Sequence, residues 1–124
     1  MKTLVIFLIS LLSFSFTLKD LNDDITNALK QGNTSELVKY FSDKISIKVL
    51  TQEDLLSKAQ AQTLIEDFFS KHKVKNYQTS HTSIVNSNQQ FITGSLETNN
   101  GKFRISILVR GNVISQFRIE NDNG

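Results

Sequence analysis

Four polar side chains, those of Tyr77, His81, Gln116 and Arg118, occur in strand-like segments that are otherwise rich in apolar residues. An arginine binds a carboxylate or phosphate through two parallel hydrogen bonds, and a glutamine can add another. A tyrosine and a histidine can line the wall of the same pocket. If the four side chains converge, we expect a pocket for a small apolar molecule with an anionic head.

Residues for other kinds of chemistry are scarce in the chain. His72 and His81 are its only histidines, and it has no cysteine. Disulfides and thiolate metal sites are therefore excluded, and no second histidine stands at ligand spacing. Acid–base catalysis in a pocket needs a carboxylate that projects into it, and the strand pattern offers only Glu120, close to the chain end. We predict no catalytic residue, no metal and no cofactor.

The length of the chain limits the number of domains it can form, and its net charge limits the kinds of partner it can bind. The chain has 124 residues, 39% of them hydrophobic and 21% charged, which is typical of one folded domain. The net charge of +2 is too small to indicate nucleic acid as a partner.

The first residues have the layout of a secretory signal peptide. Lys2 is followed by an apolar run, residues 4–12, and by small and aromatic residues up to Thr17. The run is shorter than the ~20 apolar residues that a membrane-spanning helix needs. The alternative is a buried N-terminal helix or strand of the fold. We favour a signal peptide over residues 1–17, a single mature domain over residues 18–124, and export to the periplasm or the medium with no stable membrane anchor after cleavage.

Helix signals fill the first half of the mature chain. Apolar residues recur at helical spacing after residue 20, and Gly32 stands where a C-terminal cap is expected. Asn33 begins a second short helix, and Ser57 with Gln60 forms a capping box for a third. The apolar stripe of that third helix consists of Ala61, Leu64, Ile65, Phe68 and Phe69.

A first strand is predicted between the second and third helices, where Ile45, Ile47 and Val49 alternate with polar residues. Three carboxylates lie around the ends of this strand: Asp43, Glu53 and Asp54.

The second half has the alternation of β-strands. Four strands are predicted, over residues 77–85, 90–98, 102–109 and 113–119. Their turns are predicted at Ser87-Asn88, Asn100-Gly101 and Gly111-Asn112. Helices followed by such strands indicate an α+β domain, with the helices packed on one face of a curved antiparallel sheet.

Pairing the predicted strands through their turns indicates which side chains share a face of the sheet. The three turns place His81 opposite Gly94, Glu97 opposite Arg104 and Ile107 opposite Gln116. His81, Gln116 and Arg118 then share the apolar face beneath the helices, and Gly94 leaves room beside them. The alternative is that these polar groups are satisfied within the core by the backbone and by Glu120.

The opposite face is predicted to be mostly polar. It carries Phe91 and Phe117, which we interpret as a contact between two copies of the chain, and a cross-strand ion pair between Glu97 and Arg104.

An ordered set of residues resembles a family of small exported bacterial proteins, a domain of unknown function with the nuclear transport factor 2-like, or cystatin-like, fold. The set consists of Asp24-Ile25, Ala28-Leu29, Gly32-Asn33, Leu37, Tyr40-Phe41, residues 57–61, Phe68-Phe69, His81, residues 92–94, residues 100–104 and residues 116–120. The resemblance covers the mature chain and implies a cone of curved sheet closed by helices, which often dimerises through the outer face of the sheet. It implies no activity, although related folds include ketosteroid isomerase-like enzymes.

Three functions follow from these patterns. The first is a non-enzymatic domain that binds a small ligand in a polar-lined pocket on the concave sheet face. The second is a structural or protein-interaction module that dimerises through the outer sheet face. The third is an isomerase-like enzyme, which the scarcity of pocket carboxylates disfavours.

Overall fold

The computed structural model describes residues 20–122, and the predicted signal peptide lies outside them. Its elements are α1 (Asp20–Gln31), α2 (Thr34–Leu37), a 3-10 turn (Val38–Tyr40), β1 (Phe41–Val49), β2 (Gln52–Ser57), α3 (Lys58–Lys71), β3 (Val74–Asn86), β4 (Gln89–Thr98), β5 (Gly101–Arg110) and β6 (Val113–Asn121). The six strands form one sheet in the order β2-β1-β6-β5-β4-β3. The predicted α+β class is confirmed, and the sheet is mixed because β1 lies parallel to β6.

The predicted helix boundaries follow from local hydrogen bonds. Gly32 has a φ of +62°, and its N–H donates to the carbonyl of Leu29, while Asn33 N–H donates to the carbonyl of Ala28. This pair of bonds is a Schellman motif, in which a glycine takes the left-handed conformation without steric cost. Asn33 Oδ1 then accepts from Glu36 N–H and caps α2.

The predicted capping box at the start of α3 is also present. Ser57 Oγ accepts from the backbone N–H of Gln60, and Gln60 Oε1 accepts from the backbone N–H of Ser57. Of the predicted apolar stripe, Leu64 is half-buried and the other four residues are buried. The helix therefore packs its apolar side onto the sheet.

Strand β2 was not predicted. Its first four residues are exposed and include Glu53 and Asp54, so no alternation of apolar and polar side chains marks it. It pairs antiparallel with β1, with Lys48 opposite Glu53. The sequence pattern placed these carboxylates only near the ends of the first strand.

The β4–β5 turn lies one residue earlier than predicted. Its tip is Asn99-Asn100, so Leu96 faces Phe103. Asn99 Oδ1 accepts from Lys73 N–H, and Asn100 Nδ2 donates to the carbonyl of Lys71. Both asparagines are therefore positioned by hydrogen bonds to the last residue of α3 and the segment that follows it.

This turn moves the register by two residues, which preserves the face of every side chain. The predicted pair of Glu97 with Arg104 is wrong: Glu97 lies opposite Lys102, and Arg104 lies opposite Ser95.

The β5–β6 turn occurs at Gly111-Asn112 as predicted, but an irregularity follows it. Val109 pairs with Ile114 as expected, and Leu108 then pairs with Gln116 because Ser115 is an extra residue in β6. A β-bulge of this kind moves all later side chains to the opposite face. Phe117 consequently points into the core, whereas Gln116 and Arg118 lie on the outer face.

Register shifts in β3 also move side chains from one face of the sheet to the other. The turn at Ser87-Asn88 is confirmed, but His81 pairs with Thr93 instead of Gly94. A second shift places Thr79 opposite Gly94 and Tyr77 opposite Leu96. His81 therefore lies on the outer face, and Tyr77 lies on the inner face beneath the helices.

Candidate functional site

The space beside Gly94 is filled by the ring of Tyr77. A Cβ atom added to Gly94 would lie 2.1 Å from Tyr77 Oη and 2.4 Å from Tyr77 Cζ. Tyr77 is only 1% exposed, its hydroxyl accepts from Thr79 Oγ1 at 3.3 Å, and burial raises the pKa of the phenol. The glycine thus accommodates an aromatic side chain of the protein itself.

The four residues predicted to form a pocket do not converge. Tyr77 is in the core, whereas His81 is exposed on the other side of the sheet, where its Nε2 lies 2.8 Å from Ser83 Oγ. Gln116 and Arg118 are half-buried on that same outer face. The predicted pocket depended on strand registers that are wrong in two places. They fail at the register shifts of β3 and at the bulge in β6.

Among the side chains described in residues 21–122, the Tyr77 phenol is the only buried acid or base. The other buried polar residues there are Thr34, Thr98 and Ser106, all with neutral side chains. Across residues 20–122, no three histidine or carboxylate side chains are grouped closely enough to hold a metal ion. Glu120, the carboxylate predicted for the pocket face, lies on the outer face opposite Arg104.

The outer face carries the polar residues instead, arranged in rows across the strands. One row is uncharged and crosses the whole sheet through register partners: Ser83, Phe91, Leu108, Gln116, Ser46 and Leu55. We call it the uncharged row. Phe91 and Leu108 are half-buried, and Leu55 is 61% exposed. This is a band of moderate hydrophobicity on a sheet face opposite the core.

A cluster of charged side chains borders the uncharged row. Glu120 Oε2 lies 3.1 Å from Lys48 Nζ, and Arg118 Nη1 lies 3.0 Å from Glu53 Oε2. Arg104 approaches Glu120 Oε1 to 3.9 Å. We refer to these five residues as the charged cluster. Lys48, Arg118 and Glu120 have side chains about one quarter exposed, so the cluster is only partly open to water.

The pKa of the Glu120 carboxyl is lowered from its ordinary value of 4.5, mainly by the hydrogen bond from Lys48 and further by the surrounding positive charges, with burial opposing them. Because the pKa is lower in the folded state, Glu120 stabilises the fold above pH 4.5 and loses this effect as the pH falls through the lowered pKa. Its ion pairs are near the surface, so the contribution is below about 1 kcal/mol.

Glu120→Gln is therefore expected to lower the free energy of unfolding by less than about 1 kcal/mol at pH 7. Its difference from the wild type should shrink as the pH falls below 4.5. Urea unfolding at several pH values measures both effects, with Asp43→Asn as the control because Asp43 is exposed on β1. A difference that grows in acid would contradict this assignment.

Only one of the two aromatics predicted for a dimer contact is available on the outer face. Phe91 is half-buried there, but Phe117 is fully buried and packs against Phe41 with ring centroids 5.8 Å apart. Sequence reasoning missed the outward positions of Leu108, Lys48 and Leu55. The alternation of buried Ile47 and Val49 in β1 could have located Lys48, whereas Leu55 belongs to the strand that was not predicted.

Comparison with known proteins identifies the family. Residues 22–121 match the model of a domain of unknown function, DUF4783. The chain belongs to the DUF4783 family. The crystal structure of a DUF4783 protein from Bacteroides uniformis is 31% identical, with a TM-score of 0.77 over 82% of this chain and 97% of that one. A second, from Bacteroides ovatus, is 28% identical, with a TM-score of 0.76 over 82% of this chain and 94% of that one.

More distant structures define the fold of this DUF4783 protein. An NTF2-like protein of unknown function from Cytophaga hutchinsonii is 15% identical, with a TM-score of 0.61 over 87% of this chain and 92% of that one. The predicted resemblance to an uncharacterised family with this fold is confirmed. None of the curated proteins compared with the chain matches it. No helix within residues 20–122 is long and apolar enough to cross a bilayer.

Proposed function

We propose that this DUF4783 protein is a non-enzymatic interaction module whose outer sheet face binds a second copy of the chain. The observation that carries the proposal is the position of Tyr77, which fills the place beside Gly94 where a ligand was predicted. The inner sheet face beside Gly94 is thereby filled by the core, and three of the four residues predicted for a pocket, His81, Gln116 and Arg118, lie on the outer face.

The outer face suits a twofold contact. Stable interfaces have an apolar centre and a polar rim, and the uncharged row with the charged cluster beside it has this arrangement. In a twofold dimer the same patch meets itself, so a patch must be complementary to its own copy. The charged cluster holds both signs, with Arg104 and Arg118 beside Glu53 and Glu120, so cations of one copy can approach carboxylates of the other.

Two variants test the contact. Phe91→Lys places a charge in the uncharged row and is expected to raise the dissociation constant of the dimer at least about tenfold, because each copy carries the change. Ile84→Lys is the matched control, since Ile84 is 80% exposed on the inner side of edge strand β3. Sedimentation velocity over a range of concentrations measures both. A monomeric wild type, or equal weakening by both variants, would overturn the proposal.

We also propose that the protein is exported. The support is the layout of residues 1–17, with one lysine, an apolar run and an end of small and aromatic residues. The mass of the protein isolated from cells that make it tests this, because cleavage after Thr17 removes those residues and retention of the full mass would contradict it.

A further inference from the structure

Asn100 is followed by glycine, the neighbour beside which an asparagine side chain is chemically least stable. The backbone nitrogen that follows an asparagine can attack its side-chain carbonyl carbon, and glycine hinders this approach least because it has no side chain. Within residues 20–122, Asn100 is the only asparagine that precedes a glycine. It is exposed at the tip of the β4–β5 turn, so water has access to it. Its chemical stability therefore depends on what holds its side chain in place.

Four hydrogen bonds join this turn to the end of α3 and the residues that follow it. Asn99 N–H donates to the carbonyl of Lys73 at 3.0 Å, and Asn99 Oδ1 accepts from Lys73 N–H at 3.2 Å. Asn100 Nδ2 donates to the carbonyl of Lys71 at 3.0 Å, and Asn100 Oδ1 is bonded to His72 Nδ1. We call these four bonds the turn contact. Both ends of the Asn100 amide are thereby engaged by residues that are distant along the chain.

The partners of the Asn100 amide fix its orientation. A backbone carbonyl only accepts, so the atom that faces Lys71 is the amide nitrogen, and the amide oxygen faces His72. His72 Nδ1 therefore carries a proton and donates in this bond. The imidazole ring packs against two buried aromatic rings, with centroids 4.4 Å from Phe68 and 4.9 Å from Phe103. The donor to Asn100 is thus held in position by the core.

Thr98 fixes the backbone on either side of the reactive residue. Thr98 is 4% exposed, and its hydroxyl donates to the carbonyl of Gly101 at 2.8 Å and accepts from Asn100 N–H at 3.3 Å. Attack by the Gly101 nitrogen makes the planar side-chain carbon of Asn100 tetrahedral and expels the amide nitrogen. The turn contact holds the planar amide and Thr98 holds the backbone beside it, so both oppose the reaction.

We propose that Asn100 is a site of spontaneous deamidation, and that the turn contact sets the rate of this reaction in the folded protein. The Gly101 nitrogen loses its proton and bonds to Asn100 Cγ, while the bond from Cγ to Nδ2 breaks and ammonia leaves. The product is a succinimide ring. Water then adds to one of the two ring carbonyls and opens the ring, which gives aspartate or isoaspartate. One water enters and one ammonia leaves, without an oxidant or any other reactant.

The reaction would remove part of the turn contact permanently. A carboxylate has no donor for the carbonyl of Lys71, so two acceptors would face each other where Asn100 Nδ2 now donates. Isoaspartate also lengthens the backbone within the turn. We therefore expect the modified turn to separate from the end of α3. This site includes no residue of the uncharged row or the charged cluster, so it is independent of the proposed dimer contact.

The test compares the folded protein with a peptide that has the sequence of residues 97–103 and is capped at both ends. Both are incubated in the same neutral buffer, and mass spectrometry of proteolytic fragments measures the conversion of Asn100 over time. Because the peptide has the same local sequence without the turn contact, we expect its conversion to be at least about tenfold faster. Equal rates would overturn the proposal.

Two variants test whether the turn contact is responsible. Thr98→Val keeps the shape of the side chain but removes its hydroxyl, and His72→Phe keeps an aromatic ring but removes the donor to Asn100. Each is expected to speed the conversion in the folded protein at least about threefold, which corresponds to the loss of one hydrogen bond. Ser95→Ala, on the outer face of the same strand, should leave the rate unchanged.

A further variant separates local opening of the turn from unfolding of the whole domain. Gly94→Ala is expected to lower global stability without removing any bond of the turn contact. If the turn opens locally, its rate of conversion should equal that of the wild type. Acceleration by Gly94→Ala as large as that of Thr98→Val and His72→Phe, or no acceleration by either of those two, would overturn the proposal.

Discussion

Gly94→Ala is expected to lower the free energy of unfolding by roughly 2–3 kcal/mol, which is large for the addition of one methyl group. The added Cβ would lie 2.1 Å from Tyr77 Oη and 2.6 Å from Tyr77 Cε1, inside any normal contact distance. Tyr77 is 1% exposed and has little room to move away. Urea unfolding monitored by circular dichroism measures the effect.

The matched control is Ser95→Ala on the same strand, where the side chain lies on the outer face and the expected change is within about 0.5 kcal/mol. A double-mutant cycle identifies the cause. In the Tyr77→Leu background the ring is gone, so the cost of Gly94→Ala should fall by more than half. If Gly94→Ala costs the same in both backgrounds, the ring of Tyr77 does not occupy the space beside Gly94.

Phe117→Ala is expected to lower the free energy of unfolding by about 3–5 kcal/mol, because it removes a fully buried aromatic ring and leaves a cavity. The ring lies between the core residues of β1 and β5, with Ile47 and Ile107 as its register partners. Thermal and urea unfolding measure the loss.

The control for this prediction is Phe91→Ala on the outer face. Phe91 is only half-buried, so its truncation should cost less than half as much stability and should weaken self-association. A Phe117→Ala variant that folds with wild-type stability but no longer associates would restore the register predicted from sequence and contradict the bulge at Ser115.

Local features of the fold could be predicted because the bonds that define them join neighbouring residues. The Schellman motif at Gly32 and the capping box of Ser57 with Gln60 each involve residues within five positions of one another. The alternation of apolar residues located β3 to β6, and the turns at Ser87-Asn88 and Gly111-Asn112 were correct.

The candidate site was placed wrongly because it depends on bulges. One extra residue at Ser115 decides whether Arg118 lies in the core or on the outer face. The sequence carries a signal for it, since two consecutive polar residues, Ser115 and Gln116, separate Ile114 from Phe117 and shift the apolar alternation by one position. The register shifts in β3 likewise decide which face of the sheet carries His81. The turn at Asn99-Asn100 depends on contacts with the end of α3, which is distant along the chain.

Gly94 shows how a correct observation can lead to a wrong interpretation. The missing side chain does leave space on the inner face, as the sequence predicted. Which group fills that space depends on the register of β3, and the shifted register brings Tyr77 to it. A glycine opposite polar residues in a predicted pocket is therefore equally consistent with close packing of an aromatic ring.

Native mass spectrometry of the protein purified from cells that make it tests the central claim most directly. We predict a mass of twice the processed chain, with no additional mass that disappears on unfolding, because the cone interior is packed and the outer faces associate. A monomer that carries a small molecule, released when the chain unfolds, would contradict the account and restore a ligand-binding pocket as the function of the domain.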